Sequence, residues 1–123
     1  MKAILLACAL ASFSAPAFAQ DACAAAGESA TEEFAFAINA ANGALSAKDY
    51  GRALSIAAAA RPEAMSQRQR VAVSQLEIAA VVGMNDRETA TRLMKATLAD
   101  RCLPDGVRTN YVAMLTKWGV LAN

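Results

Sequence analysis

Histidine is absent from this 123-residue chain. That removes the usual general base, the usual proton shuttle and the commonest metal ligand together. Cysteine is scarce: there are three, with no Cys-x-x-Cys pair and no Cys-x-x-Cys-His. A zinc or haem site would lack its ordinary ligands, and no cofactor is expected. Nor is there a glycine-rich loop spaced to cradle phosphate, or a serine in a Gly-x-Ser-x-Gly elbow. Glu32 and Glu33 are adjacent, so on a helix they point about 100° apart and cannot flank one substrate bond. Met65, Met84, Met94 and Met114 lie on separate segments, which suits core filling better than a thioether copper site. These absences point away from an enzyme.

Excess charge is also missing. Twelve Lys and Arg stand against eleven Asp and Glu. Nucleic acid needs a strong basic field, and electrostatic attachment to a membrane surface needs a polybasic patch, so neither partner is expected.

A long apolar run occurs only at the start. Met1-Lys2 is a charged beginning, Ala3 to Phe13 is apolar, and Ala17-Phe18-Ala19 is a small-x-small site before Gln20. This pattern predicts a secretory signal peptide over residues 1–19, cleaved after Ala19. It is too short and wrongly flanked for a membrane span. Leu5-Leu6-Ala7-Cys8 faintly resembles a bacterial lipoprotein box, but too little apolar chain precedes it. Residues 20–123 would then form one periplasmic or secreted domain without an integral membrane span. Cys8 leaves with the signal, and the remaining Cys23 and Cys102 are predicted to pair in an oxidising compartment. Closing a loop of about 80 residues is worth about 4.5 kcal/mol by the chain-entropy argument. The pair lacks the Cys-x-x-Cys setting that depresses a thiol pKa, so the bond reads as structural.

The rest of the chain is rich in alanine, poor in glycine and proline, and free of alternating β-branched runs, which predicts an all-α domain of about five helices. The first is expected over 31–47, with Ser29 and Glu32 at capping-box spacing. Phe34, Ile38, Ala41 and Leu45 make one apolar stripe on it, and Phe36, Ala40 and Gly43 a second. Two such faces predict two packing neighbours and a close approach at Gly43. The second helix, 50–60, starts at Asp49 and offers Ala57 to Ala60 as a low surface. The third, 63–82, has Pro62 at its first turn and Ser66 with Gln69 as a capping box, and is expected to end in a left-handed cap at Gly83. Its buried face should be Ala72, Leu76, Ala79 and Val82. Gln67, Arg70, Ser74 and Glu77 should be wet. The fourth, 86–101, has Asn85 and Glu88 at cap spacing and Ala90, Leu93, Met94 and Leu98 as its stripe. Asp105 should cap the fifth, 106–121, whose Val107, Tyr111, Met114, Trp118 and Leu121 form the cleanest amphipathic pattern and would close the core.

Two segments repeat at an offset of 37 residues. Asp49-Tyr50-Gly51-Arg52-Ala53 and Asp86-Arg87-Glu88-Thr89-Ala90 each follow a longer helix and lead into one whose first turn carries alanine. Lys48-Asp49-Tyr50-Gly51-Arg52-Ala53 resembles the Gly-Asp-Tyr-x-x-Ala turn of the tetratricopeptide repeat, differing at the glycine. On that resemblance 31–62 and 66–101 are two antiparallel hairpin units and 105–121 a closing helix; a generic bundle of helical hairpins is the alternative. The resemblance implies a groove lined by the first helix of each unit, where Asn39, Asn42 and Gln75 offer amides to an extended backbone. It implies a binding or scaffold protein with a protein or peptide partner. A small periplasmic stress or chaperone-like helical protein is the second expectation.

Overall fold

The structure, a computed structural model, describes Cys23 and residues 29–122. The signal peptide expected over residues 1–19 lies outside the described residues. Among the described residues there are five α-helices and no strand: α1 (Glu32–Ser46), α2 (Tyr50–Ala60), α3 (Gln67–Gly83), α4 (Arg87–Leu98) and α5 (Asp105–Lys117). A short 3₁₀ turn, Arg61–Glu63, joins α2 to α3. Helices pack mainly on their chain neighbours, α1 on α2, α2 on α3 and α3 on α4. Weaker contacts run between α1 and α3 and between α4 and α5. The all-α hairpin architecture is therefore the observed one.

Caps set the boundaries, several a residue or two from where spacing alone put them. Thr31, not Ser29, caps α1, its Oγ1 accepting from the Phe34 N–H at 3.0 Å. Asp49 caps α2 as expected, accepting from the Arg52 N–H. Proline 62 stays in the 3₁₀ turn, Ala64 turns extended, and α3 starts only after Ser66, whose Oγ accepts from the Gln69 N–H at 3.1 Å. Gln69 Oε1 reaches back to accept from the Met65 N–H at 2.7 Å, one residue before the cap, in place of the Ser66 N–H of a standard capping box. Asp86, not Asn85, caps α4, because Asn85 is in the left-handed region at φ +60° and cannot take the cap conformation. Pro104 precedes α5 without a side-chain cap bond, and Asp105 is inside its first turn.

The two hairpin turns are copies at the level of hydrogen bonds. Ala47 N–H donates to Gly43, Lys48 N–H to Leu45, and Asp49 N–H to Ala44. Thirty-seven residues on, Met84 donates to Ala80, Asn85 to Val82, and Asp86 to Val81. Lys48 and Asn85 share the left-handed conformation at φ +61° and +60°. The end of α5 makes the turn a third time, Trp118 to Met114, Gly119 to Thr116 and Val120 to Leu115, with Gly119 at φ +78°. A valine stands there where Asp49 and Asp86 cap their helices.

α3 is the central element, with α2 on one side and α4 on the other. Its buried residues therefore wrap around it: Val71, Val73, Leu76, Ile78, Ala80 and Val81. Of the face expected to be buried, only Leu76 is; Ala72 and Val82 are half-buried and Ala79 is exposed. The expected wet face also differs. Glu77 is largely covered and pairs with Arg61, whose guanidinium donates to Ser74 Oγ at 3.1 Å as well. Between α1, α2 and α3 the contact residues are small. Ala41, Ala53, Ala57 and Ala80 are completely buried. A second cluster joins α3, α4 and α5 through Val71, Ile78, Val81, Met94, Tyr111 and Leu115. Val107, Tyr111, Met114, Trp118 and Leu121 pack on this cluster and close the core as expected, although α5 ends at Lys117 rather than 121 and the last two follow it; Leu115 adds a fully buried position.

The second stripe of α1 finds no neighbour among the described residues. Phe36 is 75% exposed, and a Cβ on Gly43 would meet nothing within 4 Å. Gly83 is also not a left-handed cap. It ends α3 under the ring of Tyr50, and a Cβ there would overlap the ring, with Cζ at 2.6 Å.

The disulfide between Cys23 and Cys102 is present, with the two Cα atoms 5.4 Å apart. Such a bond suits an oxidising compartment. It also brings the Cys23 carbonyl to the Arg68 N–H at 2.7 Å. That N–H belongs to the first turn of α3 and has no intrahelical acceptor.

Candidate functional site

Parallel first helices of two hairpins leave a groove between them. Ile38, Asn42 and Leu45 of α1 form one wall, and Ala72, Gln75, Leu76 and Ala79 of α3 form the other, around a hollow of about 340 Å³. Residues 72, 76 and 79 are the stripe that reads as core in the sequence. They read so because they are apolar at helical spacing; Leu76 is indeed buried beside Phe34 and Ala41 of α1, but α1 meets α3 only weakly and leaves Ala72 half-buried and Ala79 exposed. Two of the three amides expected in a groove are brought together here, Asn42 on one wall and Gln75 on the other. Asn39 is exposed on α1 and is not part of the lining.

The groove does not stop at Gln75. A second hollow of about 430 Å³ shares Ala72 and Gln75 with it and continues along α3 to Arg68, Val71, Arg101, Pro104 and the disulfide. Arg68, Ala72, Gln75 and Ala79 are spaced i, i+4, i+7, i+11, so one face of α3 floors both hollows. The disulfide thus has a second role besides closing the chain: it forms part of the wall at the basic end.

That end is held rigidly. The Asp100 carboxylate accepts from the Gln67 amide and from the Cys102 N–H, the latter at 2.9 Å. Arg108 of α5 donates to the Leu98 and Asp100 carbonyls at 2.6 and 2.7 Å, satisfying carbonyls that α4 leaves open at its end. Arg70 donates to the Gln67 side chain at 3.1 Å. Arg68 and Arg101 are exposed, and neither guanidinium has a hydrogen-bond partner among the described residues. Sequence reasoning missed both. The signal was the seven-residue step from Arg68 to Gln75, which puts them on one helix face, and the position of Arg101 next to Cys102.

A third hollow, about 540 Å³, lies at the other end of the molecule between the α3–α4 turn and α5. Val82, Asn85, Arg87, Asn110, Met114 and Trp118 are among its lining. The Arg87 guanidinium lies over the Trp118 ring at 5.1 Å, a cation–π contact that orders both. Hydrogen bonds from Thr89, first its hydroxyl and then its backbone N–H, hold the Asp86 carboxyl below the ordinary range, with Arg92 adding to the effect. Burial pushes the Tyr111 phenol up to about 12.

No group of three or more His, Cys, Asp or Glu side chains among the described residues could hold a metal ion, and no helix among them is long and apolar enough to cross a membrane. Comparison with family models, with curated proteins and with solved structures finds no match to this chain.

Proposed function

We propose that this is an exported, non-enzymatic binding protein built from tetratricopeptide-like hairpins, and that its α1–α3 groove takes an extended stretch of a protein or peptide partner. The observation that carries this reading is the apolar stripe Ala72, Leu76 and Ala79. It faces Ile38 and Leu45 across an uncovered groove, with Asn42 and Gln75 on opposite walls. An apolar floor supplies burial, and each amide offers donors and an acceptor to an extended backbone.

The test is a crosslinking capture from the cell envelope with the wild type and with Asn42→Ala/Gln75→Ala. The double variant keeps its circular dichroism spectrum and loses the captured partner. Undiminished capture of the same partner by the variant, or turnover of a substrate by the pure protein, overturns the reading.

A chaperone-like role is the second reading. It draws on the exposed apolar side chains Phe36 and Met65. It predicts suppression of client aggregation that survives Asn42→Ala/Gln75→Ala and falls with Phe36→Ser.

A further inference from the structure

The two hollows along α3 differ in chemistry, and the difference describes an occupant. From Ala79 to Arg68 the floor runs eleven residues, about 16 Å at the helical rise. An extended chain covers that in about five residues. Around Ala79 the walls are Ile38, Leu45 and Leu76; around Arg68 they are Arg101, Pro104 and the disulfide. The charged neighbours at the basic end are accounted for among the described residues. Asp100 is bound to Gln67 and the Cys102 N–H, Arg108 to two carbonyls, and Arg70 to Gln67. Among the described residues, Asp105, beside Pro104, is the other carboxylate near this end. Arg61–Glu77 is the one ion pair among the described residues, so Arg68 and Arg101 are not neutralised by a side chain there.

We propose that the groove reads charge and hydropathy in register. Its occupant is a segment of about five extended residues within a partner polypeptide, with branched aliphatic side chains over Ile38, Leu45 and Leu76 and Asp or Glu side chains between Arg68 and Arg101. Gln75, common to both hollows, meets the backbone midway. Guanidinium groups pair with carboxylates by charge-assisted, fork-shaped hydrogen bonds, which fixes which end of the segment lies where. This inference rests on the groove reading above and adds the chemistry of the partner.

Fluorescence anisotropy on the purified, oxidised protein tests it. The probes are labelled hexapeptides blocked at both ends, with two leucines at one end and two aspartates at the other, made in both chain directions. Blocking leaves side-chain carboxylates as the only anions. At least one direction binds, and replacing its aspartates with asparagine weakens binding about tenfold or more. Added salt weakens the acidic peptide and leaves the asparagine peptide little changed. Arg68→Glu/Arg101→Glu loses the acidic peptide and gains one with lysines in place of the aspartates, while Arg52→Glu, on the exposed surface of α2, changes nothing. Equal binding of aspartate and asparagine peptides overturns the acidic specificity and leaves the groove reading standing. If no peptide of either kind binds, this inference fails, and the envelope capture with Asn42→Ala/Gln75→Ala judges the groove reading separately.

Discussion

Gly83 shows how a residue can be in the right place for the wrong reason. In the sequence it looks like a left-handed helix stop. In the fold that conformation belongs to Asn85, and Gly83 is a glycine because the Tyr50 ring lies against it. Tyr50 comes from the start of α2, so a single sequence does not show the contact: the two residues are 33 apart and share no local pattern. Gly83→Ala must displace an aromatic ring already packed beside Ala44, Ala53 and Ala80. It should destabilise the protein by about 1–3 kcal/mol, read as a lower urea midpoint. Tyr50→Ala/Gly83→Ala should lose less than the two single changes added together, since the clash is gone. Tyr111 offers a second residue-scale test. Its phenol is pushed up to about 12 by burial, against about 10 in the unfolded chain. The unfolded form therefore ionises first. The stability linked to Tyr111 is complete below about pH 10 and drains between about pH 10 and 12. Urea midpoints followed through that range should fall in the wild type and fall less in Tyr111→Phe.

At the scale of elements, existence and type were legible, while faces and ends were only partly so. All five helices lie where alanine-rich periodicity puts them, because that signal is local, whereas the caps expected at Ser29, Asn85 and Asp105 fall to Thr31, Asp86 and Pro104. Ends moved where a tertiary partner or a turn conformation decided them. The expected reach of α4 to Arg101 stops at Leu98, where Asp100 folds onto the Cys102 N–H and the disulfide takes over. Faces moved most in α3. A helix with neighbours on two sides buries residues right around its circumference, and a periodic stripe then marks whichever side is apolar, including one left for a partner. Ala57 and Ala79 separate these cases. Ala57 of α2 is wholly buried against its neighbours, so Ala57→Leu overpacks the interface and should lower stability by about 1–3 kcal/mol. Ala79 floors the groove and is exposed, so Ala79→Leu should leave the urea midpoint within about 0.5 kcal/mol of wild type. The same change should abolish peptide binding by filling the apolar end. Loss of stability in the second variant would mean that this stripe is core after all.

The whole molecule is held by two different kinds of connection. Neighbour-to-neighbour packing joins α1 through α5 in chain order, and arrays of that kind tend to loosen from their ends inward. The Cys23–Cys102 bond crosses this order, tying chain that precedes α1 to the turn after α4 and docking the Cys23 carbonyl on α3. Parity of the cysteines left after the expected signal peptide made the pairing legible, but not its position at the basic end of a groove. Replacing both cysteines by serine should lower stability by about 2–5 kcal/mol. It should also change the form of unfolding. Trp118, the single tryptophan, packs against the α3–α4–α5 cluster, so its fluorescence reports that end of the array, while far-ultraviolet dichroism reports all five helices. In the oxidised protein the two signals should unfold together. Without the bond they should separate, with α1 and α2, whose interface is made mainly of alanines, losing helix before Trp118 changes. Peptide affinity should fall in step with the first of these transitions, because α1 supplies one wall of the groove. Coincident transitions in the serine variant, at an unchanged midpoint, would show that packing alone makes the array cooperative and that the disulfide serves the groove wall rather than the fold.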